Sequence, residues 1–253
     1  MAHEHSDNYG SSTLHNPLPE ESILIIGAGY FGRRATRLLR QGQLQRKPLF
    51  VVDREGESLA KITESSIERI QSDGIEFLVK NFQFLQPANL IIPAIPVHLS
   101  TEYLKNYLHK DFRIKQTDVP GEIKRSLPHT WPGSEGSLLI SYADFTCPDD
   151  CPEPEDYCTV TGERRETPLY ELLGQLDLSG YRVYVIRSHQ LMPGLGGYSV
   201  DDLMKLVGRV KQERKGRWLV GTACKCHGTL TALEIQPGSR PQKATALAVD
   251  ECG

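Results

Sequence analysis

No stretch of the 253-residue chain approaches the roughly eighteen uninterrupted apolar residues that a membrane-crossing helix needs, which argues against a membrane partner. Basic excess is missing too. The chain carries 29 Lys and Arg against 32 Asp and Glu, a formal charge of −3, so nucleic acid has no electrostatic footing as a partner. The opening run MAHEHSDNYGSSTLHNPLPE lacks the apolar segment of a secretory signal. Residues 1–21 therefore read as a disordered polar tail, with weak metal binding by its three histidines as the alternative. Without export the expected compartment is the reducing cytoplasm, where cysteines serve more often as metal ligands or redox groups than as disulfides. No internal repeat is visible.

What is present is a globular α/β pattern, with 39% hydrophobic residues to build a core. ILII, GAGYFGRRATRLLRQ and PLFVVD read as strand, glycine turn and helix, and strand; NLIIPAIPV and HLSTEYLKNYL follow as strand and helix. Alternating strands and helices imply a mostly parallel sheet over residues 22–112, a Rossmann-type dinucleotide-binding domain. Pro, Gly and charged residues dominate 113–136, which reads as a linker. Residues 137–236 form a smaller α/β domain with a cysteine-rich metal-binding loop, and 237–253 a flexible tail.

Gly27, Gly29 and Gly32 fill G-x-G-x-x-G between a predicted strand and a predicted helix. Gly27 permits the tight turn, Gly29 the approach of a pyrophosphate, and Gly32 the packing of helix on strand. Tyr30 and Phe31 lie within the loop, whose helix offers unpaired N–H groups to phosphate. Asp53 ends the second strand about twenty residues past the last glycine, where its carboxylate can hold ribose hydroxyls. That favours NAD over NADP, unless the adjacent Arg54 turns toward a 2′-phosphate. The run ILIIGAGYFGRRATRLL followed by VVD resembles the NAD(P)-binding Rossmann superfamily, especially potassium-uptake regulatory domains and the precorrin-2 dehydrogenase part of siroheme synthases. The resemblance covers residues 22–110 and implies fold and cofactor; it carries over no catalytic residue.

Two histidines are candidate acids or bases. His98 follows NLIIPAIPV at the carboxyl end of a strand, with a helix-capping role as the alternative. His189 lies in SHQLMPGLGGYS, a glycine-rich run without a phosphate-binding Lys-Ser/Thr pair, read as a flexible connection to a helix capped by Ser199.

Five of six cysteines fall in two clusters, Cys147, Cys151 and Cys158 in TCPDDCPEPEDYC, and Cys224 and Cys226 in CKCH. The first segment is too polar to order itself by burial, so a metal is expected to staple it. Cys147, Cys151, Cys158 and either Cys224 or Cys226 make the preferred set, with His227 as a further candidate. The spacing leaves zinc and an iron–sulfur cluster both open. Cys252 reads as incidental. A cluster takes single electrons while NADH delivers a hydride, and no flavin site appears between them. The leading expectation is an NAD-linked oxidoreductase acting on a small-molecule substrate, with homo-oligomerisation open. The alternatives are an NAD(H)-binding redox- or metal-responsive regulator without turnover, and an accessory protein in metal or tetrapyrrole cofactor assembly.

Overall fold

The computed structural model describes residues 9–154 and 156–238. It is a mixed α/β protein with two mixed sheets. The first sheet begins with β1 (Ile23–Ile26), β2 (Leu49–Asp53), β3 (Ile67–Gln71) and β4 (Leu90–Pro93), paired in parallel in the order β3-β2-β1-β4. All four residues of β1 are buried, as a parallel strand covered on both faces requires. Between these strands run α1 (Tyr30–Gln41), α2 (Gly56–Ala60) and α3 (Gly74–Asn81), and α4 (Leu99–Tyr107) follows β4. Asp73 starts α3 by accepting the N–H groups of Ile75 and Glu76.

The second sheet gathers β5 (Phe112–Thr117), β6 (His129–Pro132), β7 (Leu138–Ser141), β8 (Tyr181–Arg187), β11 (Gly216–Ala223) and β12 (His227–Pro237). Its order is β6-β7-β12-β11-β8, with β5 also on β12. The eleven-residue β12 pairs with β7 over its first residues and with β5 over its last. The remaining helices are α5 (Gly121–Ser126), α6 (Leu169–Gly174) and α7 (Val200–Glu213). Ser199 and Asp202 form a reciprocal capping box that starts α7.

Strand alternation divides the interior into layers. Ile23 and Ile25 face Ala35, Leu39 and Leu59 of α1 and α2, whereas Leu24 and Ile26 face α3, α4 and α7. Those three helices share one core with Trp218, Val220 and Leu233 of the second sheet. Leu219 and Leu230 point the other way, onto Ile123, Leu169 and Leu173 of α5 and α6.

Four expectations about organisation are corrected. Residues 113–136 are not a linker: they hold most of β5, all of α5 and β6, because FRIKQT finds hydrogen-bonding partners along β12 and Pro132 sits on an edge strand that needs no N–H there. The glycine-rich SHQLMPGLGGYS is a hairpin, β9 (His189–Met192) and β10 (Leu195–Ser199), turning at Pro193-Gly194 with Gly194 at φ +68°. Through β10, antiparallel to β4, this piece of the second half extends the first sheet, so residues 22–112 and 137–236 are not separate domains. Residues 9–21 are not a loose tail: Gly10 bridges to Ile70, Leu18 is buried, and the buried Asn81 side chain bonds the backbone of Ser12 and Leu14. Residues 1–8 and 239–253, which hold the rest of the two expected tails and Cys252, lie outside the described residues. Among the described residues, no helix is long and apolar enough to cross a membrane.

Candidate functional site

The GAGYFG loop joins β1 to α1 in a form only glycine can take at two points. Gly27 has φ +108°, and a Cβ on Gly32 would collide with the Gly27 carbonyl, so the helix rests directly on the turn. Nothing lies within 4 Å of where a Gly29 Cβ would stand. The first turn of α1 has no acidic residue and no side-chain cap, leaving its N–H groups and partial positive charge for an anion. Asp53 reaches this turn from β2: one oxygen accepts the Ala28 N–H at 2.6 Å, the other the Glu55 N–H at 2.8 Å. Tyr30 and Phe31 are exposed, and Arg54 is exposed beside Glu55 at 3.3 Å.

The cysteine-bearing loop packs against the same helix. The guanidinium of Arg34 donates to the carbonyls of Asp149 and Gly194, and the Tyr30 hydroxyl donates to the Asp149 carboxylate at 3.0 Å. The Cys151 carbonyl accepts from the Gly194 N–H at 3.0 Å and the Gln190 amide at 2.9 Å. Glu153 accepts the Lys225 N–H at 2.6 Å, pinning the loop to the β11–β12 turn.

A cavity of about 560 Å³ lies between these parts. Phe31 and Arg34 of α1, Trp131 and Leu139 of β6 and β7, Cys147 and Cys151 of the loop, and Cys224, Cys226 and His227 of the turn all line it. Gly29 and Asp53 lie outside its lining. The Cys147 sulfur stands 3.4 Å from His227 Nε2, and the Cys224 sulfur 3.9 Å from Nδ1. Arg165 donates to the Cys226 sulfur.

Burial pushes the Cys224 thiol up to about 12, helped by the charge of Glu153. Burial likewise raises Cys226, to about 11, against the opposing pull of Arg165. Cys147 is raised by burial and by its neighbours Cys151 and Cys158. Cys158 goes the other way: burial disfavours its thiolate, but the N–H groups of Thr161 and Val160, the Thr161 hydroxyl and Arg165 together outweigh that. The five described cysteines are all free thiols. Among the described residues, no three His, Cys, Asp or Glu side chains stand together in a form that could hold a metal ion.

The two histidine candidates are placed away from the chemistry expected of them. His98 is 8% exposed and its ring spans to the second sheet, with Nδ1 2.8 Å from the Thr231 hydroxyl and Nε2 2.9 Å from that of Thr222 and 3.0 Å from that of Ser100. Burial lowers its pKa to about 3. Of its partners only Thr222 lines the cavity, so His98 is a neutral structural bridge rather than an exposed acid. His189 is exposed on β9; because strand side chains alternate, its neighbours Ser188 and Gln190 line the cavity and it does not. Sequence reasoning missed Arg34, Glu153 and Arg165. The pair Arg33-Arg34 next to the glycine loop was the one local signal available.

A family model described as an uncharacterized protein, C-terminal domain, matches residues 97–236. An uncharacterized protein of Archaeoglobus fulgidus is 30% identical over 226 residues, covering 83% of this chain and 98% of the relative. The chain belongs to this family. The matched region starts at residue 97, just before His98, and thus takes in α4 and β5 together with the cysteine loop. No solved structure gives a match.

Proposed function

We propose that the chain is an NAD(H)-linked oxidoreductase whose first sheet is a Rossmann-type nucleotide-binding half and whose small-molecule substrate occupies the thiol-lined cavity. The observation that carries this reading is the pairing of the uncapped first turn of α1, open above Gly29, with the Asp53 carboxylate at the end of the adjacent parallel strand. The resemblance to the NAD(P)-binding superfamily points the same way. The residues suit the cofactor: phosphate would take the free amides, and each Asp53 oxygen keeps a lone pair for a ribose hydroxyl after accepting one backbone N–H. Arg54, paired with Glu55, is not directed to a 2′-phosphate, which favours NAD over NADP. Nicotinamide would supply hydride transfer when bound, and Phe31, Trp131 and Leu139 give the cavity an apolar lining. The free thiols of the five described cysteines suit a reducing setting.

Calorimetric titration of the full chain with NADH and NADPH tests the reading. NADH is expected to bind more tightly than NADPH, and Asp53→Asn to weaken NADH by about tenfold or more, the loss of one charge-assisted hydrogen bond. Absence of NADH binding, or an unchanged affinity in Asp53→Asn, would overturn it.

One observation favours the regulatory reading: Arg34 and Tyr30 tie the first turn of α1 to Asp149, so a dinucleotide on that turn acts directly on the cysteine loop. NADH binding without turnover of any carbonyl or disulfide substrate supports that version of the proposal.

A further inference from the structure

His227 opens β12 at the end of the turn from β11, and its ring stands between two thiols. The Cys147 sulfur lies 3.4 Å from Nε2 on one side and the Cys224 sulfur 3.9 Å from Nδ1 on the other. Cys224 is held as an acceptor: its sulfur takes the backbone N–H groups of Cys226 and His227 at 3.5 and 3.4 Å, and its own hydrogen is turned to the Glu153 carboxylate. The ring proton therefore belongs on Nδ1, facing Cys224, which leaves the Nε2 lone pair for the Cys147 thiol. A nucleophile, a base within hydrogen-bond reach and a group that fixes the tautomer of the base are the three parts of an activated thiol. The backbone fixes the turn that carries the base. The Cys224 N–H bonds the His227 carbonyl at 2.9 Å, and the Glu153 carboxylate accepts the Lys225 N–H of the same turn.

Cys147 and His227 both line the cavity, as do two further thiols, Cys151 and Cys226. Phe31, Trp131 and Leu139 give the same space apolar walls. We propose that Cys147 is the nucleophile of a thiol–disulfide exchange site, with His227 as its base, Cys224 as a positioning residue and a small-molecule disulfide with an apolar body as substrate. The Cys147 sulfur attacks one substrate sulfur as its proton passes to His227 Nε2. The new S–S bond replaces that of the substrate, and the departing thiolate takes the proton back from the imidazolium. A second cavity thiol then displaces the bound half, which leaves as a thiol, and an internal disulfide remains. One substrate disulfide is thereby reduced and two cysteines are oxidised, with no further co-reactant. A disulfide suits this site because exchange asks for a thiolate, an acceptor for its proton and a neighbouring thiol, all of which the cavity presents. Burial raises Cys147 and lowers His227, so the resting pair is a neutral thiol and imidazole, and the thiolate forms in the encounter with substrate. The assignment rests on the cavity of the preceding proposal and names its substrate class, but it requires no dinucleotide.

The test is the reaction of the reduced full chain with limiting dithiodipyridine, without NADH, followed by the absorbance of the released thiopyridone and by peptide mass mapping. One fast equivalent is expected. Mapping should place the thiopyridyl adduct, or the internal disulfide into which it collapses, at Cys147. Cys147→Ser is expected to lose the fast phase, and His227→Gln to slow it by about tenfold or more, with the remaining thiols reacting at wild-type rates. Unfolding would speed every thiol, so a loss confined to Cys147 separates the base from the fold. Cys224→Ala is expected to slow the fast phase and Cys224→Ser, which keeps an acceptor, to restore it. Relative to a free thiol in solution, the neutral aromatic reagent is expected to outpace a charged aliphatic disulfide at Cys147; the reverse order overturns the apolar preference. A fast phase that maps to another cysteine, or a Cys147 rate unchanged in His227→Gln, overturns the assignment. The NADH titration is read separately, so either proposal can fail while the other stands.

Discussion

His98 shows how a residue type suited to catalysis can be put to structural use. It stands at the N-terminus of α4, where the helix dipole disfavours an added positive charge, and hydroxyls from Thr222, Thr231 and Ser100 occupy both ring nitrogens. With a folded-state pKa near 3 and an unfolded value near 6.5, the unfolded chain binds the proton more readily throughout that interval. The neutral ring therefore adds stability that is fully present above about pH 6.5 and is lost as pH falls toward 3. Between pH 7 and pH 5 this one group is expected to cost about 2 kcal/mol of unfolding free energy. His98→Asn keeps a polar side chain there but has nothing to titrate. Urea unfolding at the two pH values should show a smaller loss for His98→Asn than for the wild type; equal losses would mean that His98 is not the group responsible.

At the scale of elements, the β9–β10 hairpin holds the cysteine loop against α1. Gly194 adopts φ +68°, its N–H bonds the Cys151 carbonyl, its carbonyl accepts from Arg34, and the Asp149 carbonyl occupies the space where a Cβ would project. Gly194→Ala is therefore expected to push the loop away and to destabilise the protein by about 1 to 3 kcal/mol. Maleimide should then label Cys147 and Cys151 faster than in the wild type while the far-ultraviolet spectrum stays unchanged; wild-type labelling rates and stability would refute the role. This element was not legible in the sequence. A run with three glycines among twelve residues looks like a connection, and only pairing with β4, an element about a hundred residues earlier, makes it a strand. The same applies to β5, whose alternation in FRIKQT is too polar to announce a strand without β12 beside it. By contrast β1, α1 and α7 were legible because local chemistry specifies them: an unbroken apolar run, a glycine turn, a serine cap followed by helical spacing. The cysteines announced themselves by type and clustering. Their partners Arg34, Glu153 and Arg165 did not, since those contacts depend on long-range packing.

For the whole molecule, the interleaving of the two halves has a thermodynamic consequence. The central layer of α3, α4 and α7 is shared: Ile26, Val52 and Phe77 from the first half and Trp218, Val220 and Leu233 from the second belong to one buried cluster. β10 completes the edge of β4, and His98 bonds across to β11 and β12. Neither half can lose its structure without exposing the apolar face of the other, which is the condition for one cooperative transition rather than two. Trp218 sits in the shared layer and reports on it by fluorescence, while circular dichroism reports mainly on the helices and sheets throughout. In urea the two signals are expected to share a single midpoint, and a chain cut after residue 112 is expected to remain unfolded because it lacks β10 and the α7 face of its core. Two separated transitions, or a soluble folded 1–112 fragment, would show instead that the first half is an independent unit and that the shared layer contributes little to its stability.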